Sequence, residues 1–272
     1  MEHHGDNPFK NVIAIIPARY SSIRLPGKLL LPIAGRPLIL HTIERAKEAT
    51  TVARVIVATD DQRIFDTVTA AGHEAVMTSP DHRSGTDRVA EVAEHMSVGS
   101  VIVNVQGDEP VISPDTIDAA VNAILSDDTA DIATTSEPIE DIGELSNGNV
   151  VKVAVGDAGY AIYFSRSSIP FPRDVSLRHG GDPNRALVEE PELMSIFRKH
   201  TGLYVYRREY LLKFSGLPQT KLEQVEMLEQ LRAIEDGAKI KVVDAVGRSI
   251  GVDTVEDLER VRTILEGEKV GV

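Results

Sequence analysis

The sequence contains no cysteine. This absence excludes disulfide bonds, thiolate metal sites and cysteine nucleophiles, and it is compatible with a reducing compartment. No apolar stretch is long enough to span a bilayer, and the polar segment from Met1 to Lys10 lacks the apolar core of a signal peptide. We therefore expect a cytoplasmic protein that does not insert into a membrane.

Positive charge is also scarce, because 29 lysines and arginines stand against 42 acidic residues and leave a net charge of −13. Nucleic acids and anionic membranes bind to basic faces, so we expect neither as a partner. Hydrophobic residues make up 42% of the 272 residues, which is enough for the core of one large α/β domain.

The first apolar run, from Val12 to Ile16, is rich in β-branched residues and predicts a strand buried on both faces of a parallel sheet. The loop after it carries three cations, Arg19, Arg24 and Lys28. Open α/β sheets bind ligands at the carboxyl ends of their strands. The loop therefore predicts a seat for the phosphates of a nucleotide, with a solvated basic turn as the alternative.

Two common nucleotide motifs are missing around this strand. Ser22 and Leu29 stand where a P-loop ending in Gly27-Lys28 needs glycine and Ser or Thr. No Gly-x-Gly-x-x-Gly follows the strand either. Fixed cations are then expected to replace a glycine-lined cradle.

The amino-terminal half alternates between strand and helix patterns. A helix is predicted from Pro37 to Ala49, strands from Arg54 to Thr59, Glu74 to Thr78 and Ser100 to Gln106, and a helix capped by Asp60-Asp61. This alternation is typical of right-handed βαβ units and a mainly parallel sheet.

The carboxyl-terminal half is less regular. It predicts a hairpin of Val151 to Val155 with Tyr160 to Phe164, an irregular segment from Pro170 to Pro191, one helix from Leu222 to Ile234, a strand from Lys239 to Val246, and a last helix with a capping box at Thr254.

Acidic and hydroxyl side chains adjoin the predicted phosphate seat. Asp108 directly follows the strand that ends at Gln106, and Asp253 precedes the last helix. Two carboxylates beside phosphates suggest Mg²⁺, which takes few protein ligands and completes its shell with phosphate and water. The alternative is that Asp108 caps a turn and Asp253 braces Thr254. The loop Ser84-Gly85-Thr86, with Thr86 as its helix N-cap, offers groups to a base edge or is an ordinary capped loop.

Six segments, in this order along the chain, resemble those of the 3-deoxy-manno-octulosonate (Kdo) cytidylyltransferases. They are Ile16 to Lys28, Asn104 to Pro110, Tyr163 to Arg166, His200 to Tyr204, Leu222 to Arg232 and Gly251 to Thr254. The resemblance implies a single domain over residues 1–272 with an α/β, Rossmann-like, mainly parallel sheet flanked by helices. It also implies a small mixed α+β lobe at about 137–215 for sugar binding and dimerisation, and a homodimer.

The same resemblance implies transfer of CMP from CTP to the anomeric hydroxyl of Kdo for lipopolysaccharide biosynthesis. It implies catalytic roles for Arg19, Lys28 and Asp108, and Mg²⁺ on Asp108 and Asp253. The nucleotide contacts would be Pro17, Ala18, Arg19, Arg24, Lys28, Ser84, Gly85, Thr86 and Gln106. The sugar contacts would be Gln106, Arg166, His200, Tyr204, Glu223 and Gln224, although the family often has His at the position of Gln224.

Other interpretations of the same residues stay open. Without the resemblance, Arg166 reads as a surface ion pair, His200 and Tyr204 as alternating strand residues, and Glu223 and Gln224 as the wet side of a helix. The function has two alternatives. The first is a cytidylyltransferase for another acid sugar, such as 8-amino-Kdo or a sialic acid, and the second is a non-catalytic nucleotide-binding sensor.

Overall fold

The structure is a computed structural model that describes residues 9–21, 25–247 and 249–270. Its strands are β1 (Val12–Ala18), β2 (Pro32–Ile33), β3 (Arg36–Pro37), β4 (Arg54–Thr59), β5 (Glu74–Met77), β6 (Val101–Asn104), β7 (Ile132–Pro138), β8 (Lys152–Val155), β9 (Ala161–Ser165), β10 (Arg198–Arg207) and β11 (Ile240–Asp244). Its α-helices are α1 (Leu38–Glu48), α2 (Gln62–Ala70), α3 (Gly85–Ala93), α4 (Pro114–Leu125), α5 (Ile142–Ser146), α6 (Arg173–Arg178), α7 (Pro183–Glu189), α8 (Arg208–Ser215), α9 (Lys221–Glu226), α10 (Gln230–Glu235) and α11 (Val255–Val270). Two 3₁₀ helices span Lys28–Leu30 and Pro191–Ile196.

Within these residues, nine strands form one sheet in the order β11-β7-β10-β6-β1-β4-β5, with β8 beside β10 and β9 paired to β8. The pairs of β1 with β4 and β6, of β4 with β5, and of β7 with β11 are parallel. Strand β10 runs antiparallel between β6 and β7. The predicted mainly parallel α/β sheet is confirmed, with β10 as an antiparallel member at its centre.

Strand β1 explains how the sheet is covered on both faces. Ala14 and Ile16 pack into one apolar layer with α1, α4 and α11, whereas Ile13 and Ile15 pack into another with α3 and α8. Successive side chains of a strand point to opposite faces, so a continuous apolar run fits a strand covered on both sides. A strand at this position brings its carboxyl end to the middle of one sheet edge.

Three local predictions need correction. The segment from Pro170 to Pro191 contains α6 and α7, since Asp182 caps α7 by accepting the backbone N–H groups of Asn184 and Arg185. The helix predicted from Leu222 to Ile234 is split into α9 and α10 at Met227, which has a left-handed backbone with φ 53°. The N-cap of α3 is Ser84 rather than Thr86.

The segment 137–215, predicted as an inserted lobe, contains β10, which lies inside the central sheet. The remainder of the segment stays a predicted lobe for sugar binding and dimerisation. It has a small apolar cluster of its own, formed by Ile139, Leu145, Leu187 and Phe197. The β8–β9 hairpin confirms the hairpin prediction.

Strands β1, β4 and β6 end at the same edge, because they run parallel and Ile15 of β1 lies beside Asn104 of β6. Arg19 and the Gln106-Gly107-Asp108 turn follow these two ends. A Cβ on Gly107 would lie 3.0 Å from the carbonyl oxygen of Pro17, so glycine permits the two turns to touch. In the described part of the chain, no helix has both the length and the apolar character that a bilayer crossing requires.

Candidate active site

A cleft of about 280 Å³ opens where β1 and β6 end. It is bounded by the loops after these two strands and by the amino terminus of α3. Seven of the residues predicted from the sequence line it: Pro17, Arg19, Lys28, Ser84, Gly85, Gln106 and Asp108. Ala18 is fully buried at the end of β1 and contributes its backbone position. Arg24 lies outside the described residues.

Lys28 lies at the acidic end of this cleft. Its Nζ donates to Asp108 Oδ2 at 2.5 Å, to Asp253 Oδ1 at 2.9 Å and to the carbonyl oxygen of Val252 at 2.8 Å. Burial of the Lys28 side chain disfavours its charge, but the two carboxylates outweigh burial and raise its pKa. Lys28 therefore stays cationic and holds two distant loops together.

Asp108 and Asp253 meet at one point, since both contact the same ammonium group. Their loops are also joined through the backbone, because the N–H of Val252 donates to the carbonyl of Asp108 at 2.9 Å. Mg²⁺ takes one or two protein carboxylates and completes its shell with phosphate oxygens and water, so two carboxylates at one point are a sufficient protein contribution. The residues present therefore fit the predicted ion.

The residue whose side chain is hydrogen-bonded to Thr254 is Asp257 and not Asp253. Asp257 Oδ2 accepts the Thr254 N–H at 3.1 Å, and Thr254 Oγ1 accepts the Asp257 N–H at 3.1 Å. This is the predicted capping box at the start of α11. It leaves the Asp253 carboxylate directed at Lys28.

Arg19 is held by the loop before α3. Its guanidinium donates to the carbonyl oxygens of His82 and, at 3.5 Å, of Ser84. The His82 ring in turn contacts the Glu91 carboxylate, which also accepts the Ser79 N–H at 3.0 Å. The Nε of Arg19 is buried and has no hydrogen-bond partner in the described part of the chain. A buried N–H of this kind is suited to a phosphate oxygen.

The start of α3 supplies Ser84 and Gly85 to the cleft. Ser84 Oγ accepts the Asp87 N–H at 3.1 Å while Asp87 Oδ2 accepts the Ser84 N–H at 3.2 Å, which forms a capping box. Thr86 lies elsewhere: it is 2% exposed and its hydroxyl donates to the Glu229 carboxylate. The structure therefore does not bring the Thr86 hydroxyl into the cleft, because the side chain is buried against Glu229 and is not among the residues that line the cleft.

His200 and Tyr204 lie on β10 next to the cleft. The strand is irregular between them, and their ring centroids are 5.2 Å apart. A Cβ on Gly202 would lie 3.4 Å from Cγ of Gln106, so this part of β10 packs closely on the turn after β6. The structure thus brings His200 and Tyr204 together, on the strand that packs against the turn carrying Gln106.

His200 is uncharged at neutral pH, because burial lowers its pKa to about 3. Thr134 Oγ1 donates to the carbonyl oxygen of Leu203 at 2.7 Å and lies 2.9 Å from His200 Nε2. Since the single hydroxyl proton goes to Leu203, Nε2–H of His200 donates to Thr134. Nδ1 is then an acceptor suited to a sugar hydroxyl.

The other predicted sugar contacts lie around α9. Glu223 is 5% exposed and pairs with Arg232 at 3.3 Å, so it is not on a wet helix face. Arg166 donates from Nε to the Glu226 carbonyl at 2.6 Å and is tied to the end of α9. Glu223 and Gln224 border a second cavity of about 1000 Å³, which shares residues 83–85 with the first cleft.

Sequence reasoning missed three acidic residues of this region. The Glu91 carboxylate contacts His82 in the loop that holds Arg19, and the Glu229 carboxylate accepts a hydrogen bond from the Thr86 hydroxyl. Glu109 follows Asp108 and receives a 3.0 Å hydrogen bond from Ser249; burial and the charge of Asp108 raise the pKa of Glu109 to about 7. Glu109 and Glu229 lie inside the segments that carry the family resemblance, which was the one available signal.

Comparisons with known proteins identify the family of this chain. The cytidylyltransferase family model matches residues 13–240. The chain is 46% identical over 257 residues to 3-deoxy-manno-octulosonate cytidylyltransferase of Syntrophotalea carbinolica, covering 94% of this chain and 99% of the relative. It is 47% identical over 251 residues to the enzyme of the same name from Geobacter sulfurreducens, covering 92% and 98%. This chain belongs to the 3-deoxy-manno-octulosonate cytidylyltransferase family.

A solved structure supports the family at the level of the fold. The structure of CMP:2-keto-3-deoxy-manno-octonic acid synthetase complexed with CTP superposes with a TM-score of 0.84 at 40% identity, over 95% of this chain and 99% of that chain. The family predicted from six short segments is confirmed. The chain is therefore an enzyme, a cytidylyltransferase.

Proposed function

We propose that this enzyme transfers CMP from CTP to the anomeric hydroxyl of Kdo and releases pyrophosphate, giving CMP-Kdo for lipopolysaccharide biosynthesis. One observation carries the proposal. Lys28, Asp108 and Asp253 converge at the sheet edge that also holds Arg19, whose buried Nε–H has no hydrogen-bond partner among the described residues. The names of the relatives and the CTP complex of the solved structure support the choice of substrates.

The chemistry asked of these residues is positioning and charge neutralisation. The sugar hydroxyl attacks the α-phosphorus in line while the bond to the pyrophosphate oxygen breaks, so no covalent enzyme intermediate is needed. Arg19 would bind the α-phosphate, where negative charge builds up in the transition state. Lys28, with Arg24, would neutralise the departing pyrophosphate, using the protons that Asp108 and Asp253 accept in this structure.

Asp108 and Asp253 would hold Mg²⁺, which neutralises phosphate charge and lowers the pKa of the sugar hydroxyl. Lys28 keeps the two carboxylates side by side against their mutual repulsion. Gln106, Tyr204 and neutral His200 offer an amide, a phenol and an imidazole acceptor to the sugar hydroxyls. Arg166, Glu223 and Gln224 complete the proposed sugar contacts from the side of α9.

The metal proposal is tested by Asp253→Asn. Loss of one carboxylate charge should raise the Mg²⁺ concentration for half-maximal pyrophosphate release at least about tenfold. Asp66→Asn, on the exposed face of α2, is the matched control and should keep the wild-type value. An unchanged Mg²⁺ requirement in Asp253→Asn would remove Asp253 from the metal site.

The sugar is tested by direct competition. The enzyme is given CTP, Mg²⁺ and equal concentrations of Kdo, 8-amino-Kdo and a sialic acid, and the CMP-sugars formed are separated and quantified. We expect CMP-Kdo as the main product, since competition reports the ratio of kcat/KM values. A main product from another acid sugar would replace the substrate and keep the reaction. Binding of CTP without any product would favour the sensor.

We also propose a homodimer and a cytoplasmic location, where CTP is available. Large apolar side chains are exposed on and after β9, among them Ile162 (64%), Phe171 (61%), Leu177 (60%) and Val188 (67%). Exposed apolar side chains that form one contiguous patch are typical of protein interfaces. Sedimentation equilibrium should therefore give twice the chain mass, and a single-chain mass at micromolar concentration would contradict the dimer.

A further inference from the structure

Thr86 and Glu229 connect two parts of the candidate site. Thr86 lies in the first turn of α3, directly after Ser84 and Gly85, which line the cleft. Glu229 directly precedes α10. The Thr86 hydroxyl donates to the Glu229 carboxylate, across 143 residues of sequence. The nucleotide side of the site is thus bonded to the segment that joins α9 and α10.

The helix before that segment, α9, carries two of the predicted sugar contacts, Glu223 and Gln224. Glu223 of α9 pairs with Arg232 of α10 at 3.3 Å, so the two helices are tied to each other. The Glu226 carboxylate accepts from the Ser165 hydroxyl at 2.6 Å and from the Arg166 N–H at 2.9 Å. Residues 223–232 therefore act as one bonded unit that carries Glu223 and Gln224 and anchors Arg166.

The bond from Thr86 is the link between this unit and the nucleotide loop. Its acceptor is a carboxylate, and hydrogen bonds to ionised acceptors are about twice as strong as neutral ones. Burial, with the charges of Asp87 and Glu223, raises the pKa of Glu229, and the Thr86 hydroxyl and the Arg232 charge act against this rise. Removal of the Thr86 hydroxyl would leave Glu229 without this donor, which is the costly way to break such a bond.

We propose that Thr86 and Glu229 are positioning residues that fix the sugar-binding unit 223–232 against the nucleotide loop, and thereby couple the binding of CTP to that of Kdo. This inference rests on the proposed function. A group that fixes the geometry between two binding sites acts on the coupling between the ligands more than on either ligand alone, and the coupling is reciprocal.

The test measures Kdo binding by calorimetry, with and without a CTP analogue that has a methylene group between the α- and β-phosphorus atoms. The wild type should bind Kdo at least about tenfold more tightly with the analogue. Thr86→Val should lose most of this enhancement, while its affinity for the analogue alone changes less than about twofold. Thr86→Ser, which keeps the hydroxyl, should restore the enhancement.

A second pair of variants, at Glu229, distinguishes loss of the hydrogen bond from misfolding of a Thr86 variant. Glu229→Gln retains an oxygen that accepts from Thr86 and should keep most of the enhancement, whereas Glu229→Leu should lose it. The double variant Thr86→Val with Glu229→Leu should be no worse than Glu229→Leu alone, since both remove the same bond.

Thr51→Val is the matched control. Thr51 is 1% exposed and its hydroxyl donates to Asp118 at 2.6 Å, but it precedes β4 and so lies at the opposite edge of the sheet. This variant loses the same kind of bond and should keep the enhancement.

The inference is overturned if the affinity of the wild type for Kdo is the same with and without the analogue. It is overturned as well if Thr86→Val keeps the full enhancement of Kdo affinity. A third contradicting result is a Thr51→Val variant that loses as much of the enhancement of Kdo affinity as Thr86→Val does. These results leave the proposed function untouched when the wild type still releases pyrophosphate from CTP and Kdo. Absence of both turnover and Kdo binding in the wild type would instead defeat the proposed function.

Discussion

Lys28 contacts two loops of the candidate site at once. Its ammonium lies between Asp108 and Asp253, which are far apart in sequence and would repel each other without it. The left-handed backbone of Gly27, with φ 68°, starts the short 3₁₀ turn that presents Lys28 to them. A change at Lys28 is therefore expected to affect charge and geometry together.

We expect Lys28→Met, which keeps the length of the side chain and removes its charge, to lower kcat/KM for CTP about 10²- to 10³-fold. The measurement is steady-state pyrophosphate release. The matched control is Lys213→Met, since Lys213 forms an exposed ion pair with Asp236 away from the cleft. Equal activity of the two variants would show that Lys28 has no part in the reaction.

His200 gives a prediction about pH, because burial lowers its pKa from 6.5 to about 3. Below pH 6.5 the unfolded chain binds a proton at His200, whereas the folded chain does not until the pH approaches about 3. Stability that depends on neutral His200 is thus complete above pH 6.5 and is lost as the pH falls toward 3.

His200→Gln should therefore flatten the dependence of the unfolding free energy on pH, by up to about 1.4 kcal/mol per pH unit between roughly pH 4 and 6. Urea titrations at several pH values measure this slope. The exposed His95, changed to Gln, serves as the matched control. A His200→Gln slope equal to that of the wild type would contradict a neutral, buried His200.

At the scale of elements, the break between α9 and α10 shapes the region of the predicted sugar contacts. Met227 ends α9 with a left-handed backbone, which costs a side-chain residue about 1 kcal/mol. The break allows Glu223 and Arg232 to face each other, and the Met227 carbonyl accepts from Arg166 at 3.3 Å. Local strain is thus found where the predicted sugar contacts are tied together.

Met227→Gly should raise the unfolding free energy by about 0.5–1 kcal/mol, because glycine adopts φ 53° without strain. Chemical denaturation measures the change. Val225→Gly, at an exposed helical position two residues earlier, should instead lower stability slightly. Destabilisation by both changes would mean that the Met227 side chain contributes more than its backbone costs.

The same break shows where prediction from the sequence stops. Leu222, Val225, Leu228, Leu231 and Ile234 fit one continuous helix, and periodicity alone cannot reveal a single residue of positive φ in the middle. Strand β4 has the predicted bounds because its apolar run is ended by Asp60-Asp61, whereas β1 continues through Pro17 to Ala18, beyond its predicted end at Ile16. Local sequence signals thus predict where elements lie better than they predict a break within an element.

At the scale of the molecule, the site depends on contacts that no local pattern contains. The rule that ligands bind where parallel strands end placed Asp108 beside the basic loop, and the structure brings it to Lys28. Asp253 reaches the same point across 225 residues, which resemblance suggested and spacing could not. The antiparallel place of β10, which brings His200 and Tyr204 to Gln106, is likewise a matter of sheet topology.

The most direct test of the account is pyrophosphate release from CTP with Mg²⁺, with and without Kdo, by the wild type and by Arg19→Gln. We predict release that requires both substrates, and a loss of at least about 10²-fold in a folded Arg19→Gln, because the proposed role of the guanidinium is to bind the α-phosphate where negative charge builds up. Release that is independent of Kdo, or an Arg19→Gln variant as active as the wild type, would contradict the assignment of this cleft as the site of CMP transfer.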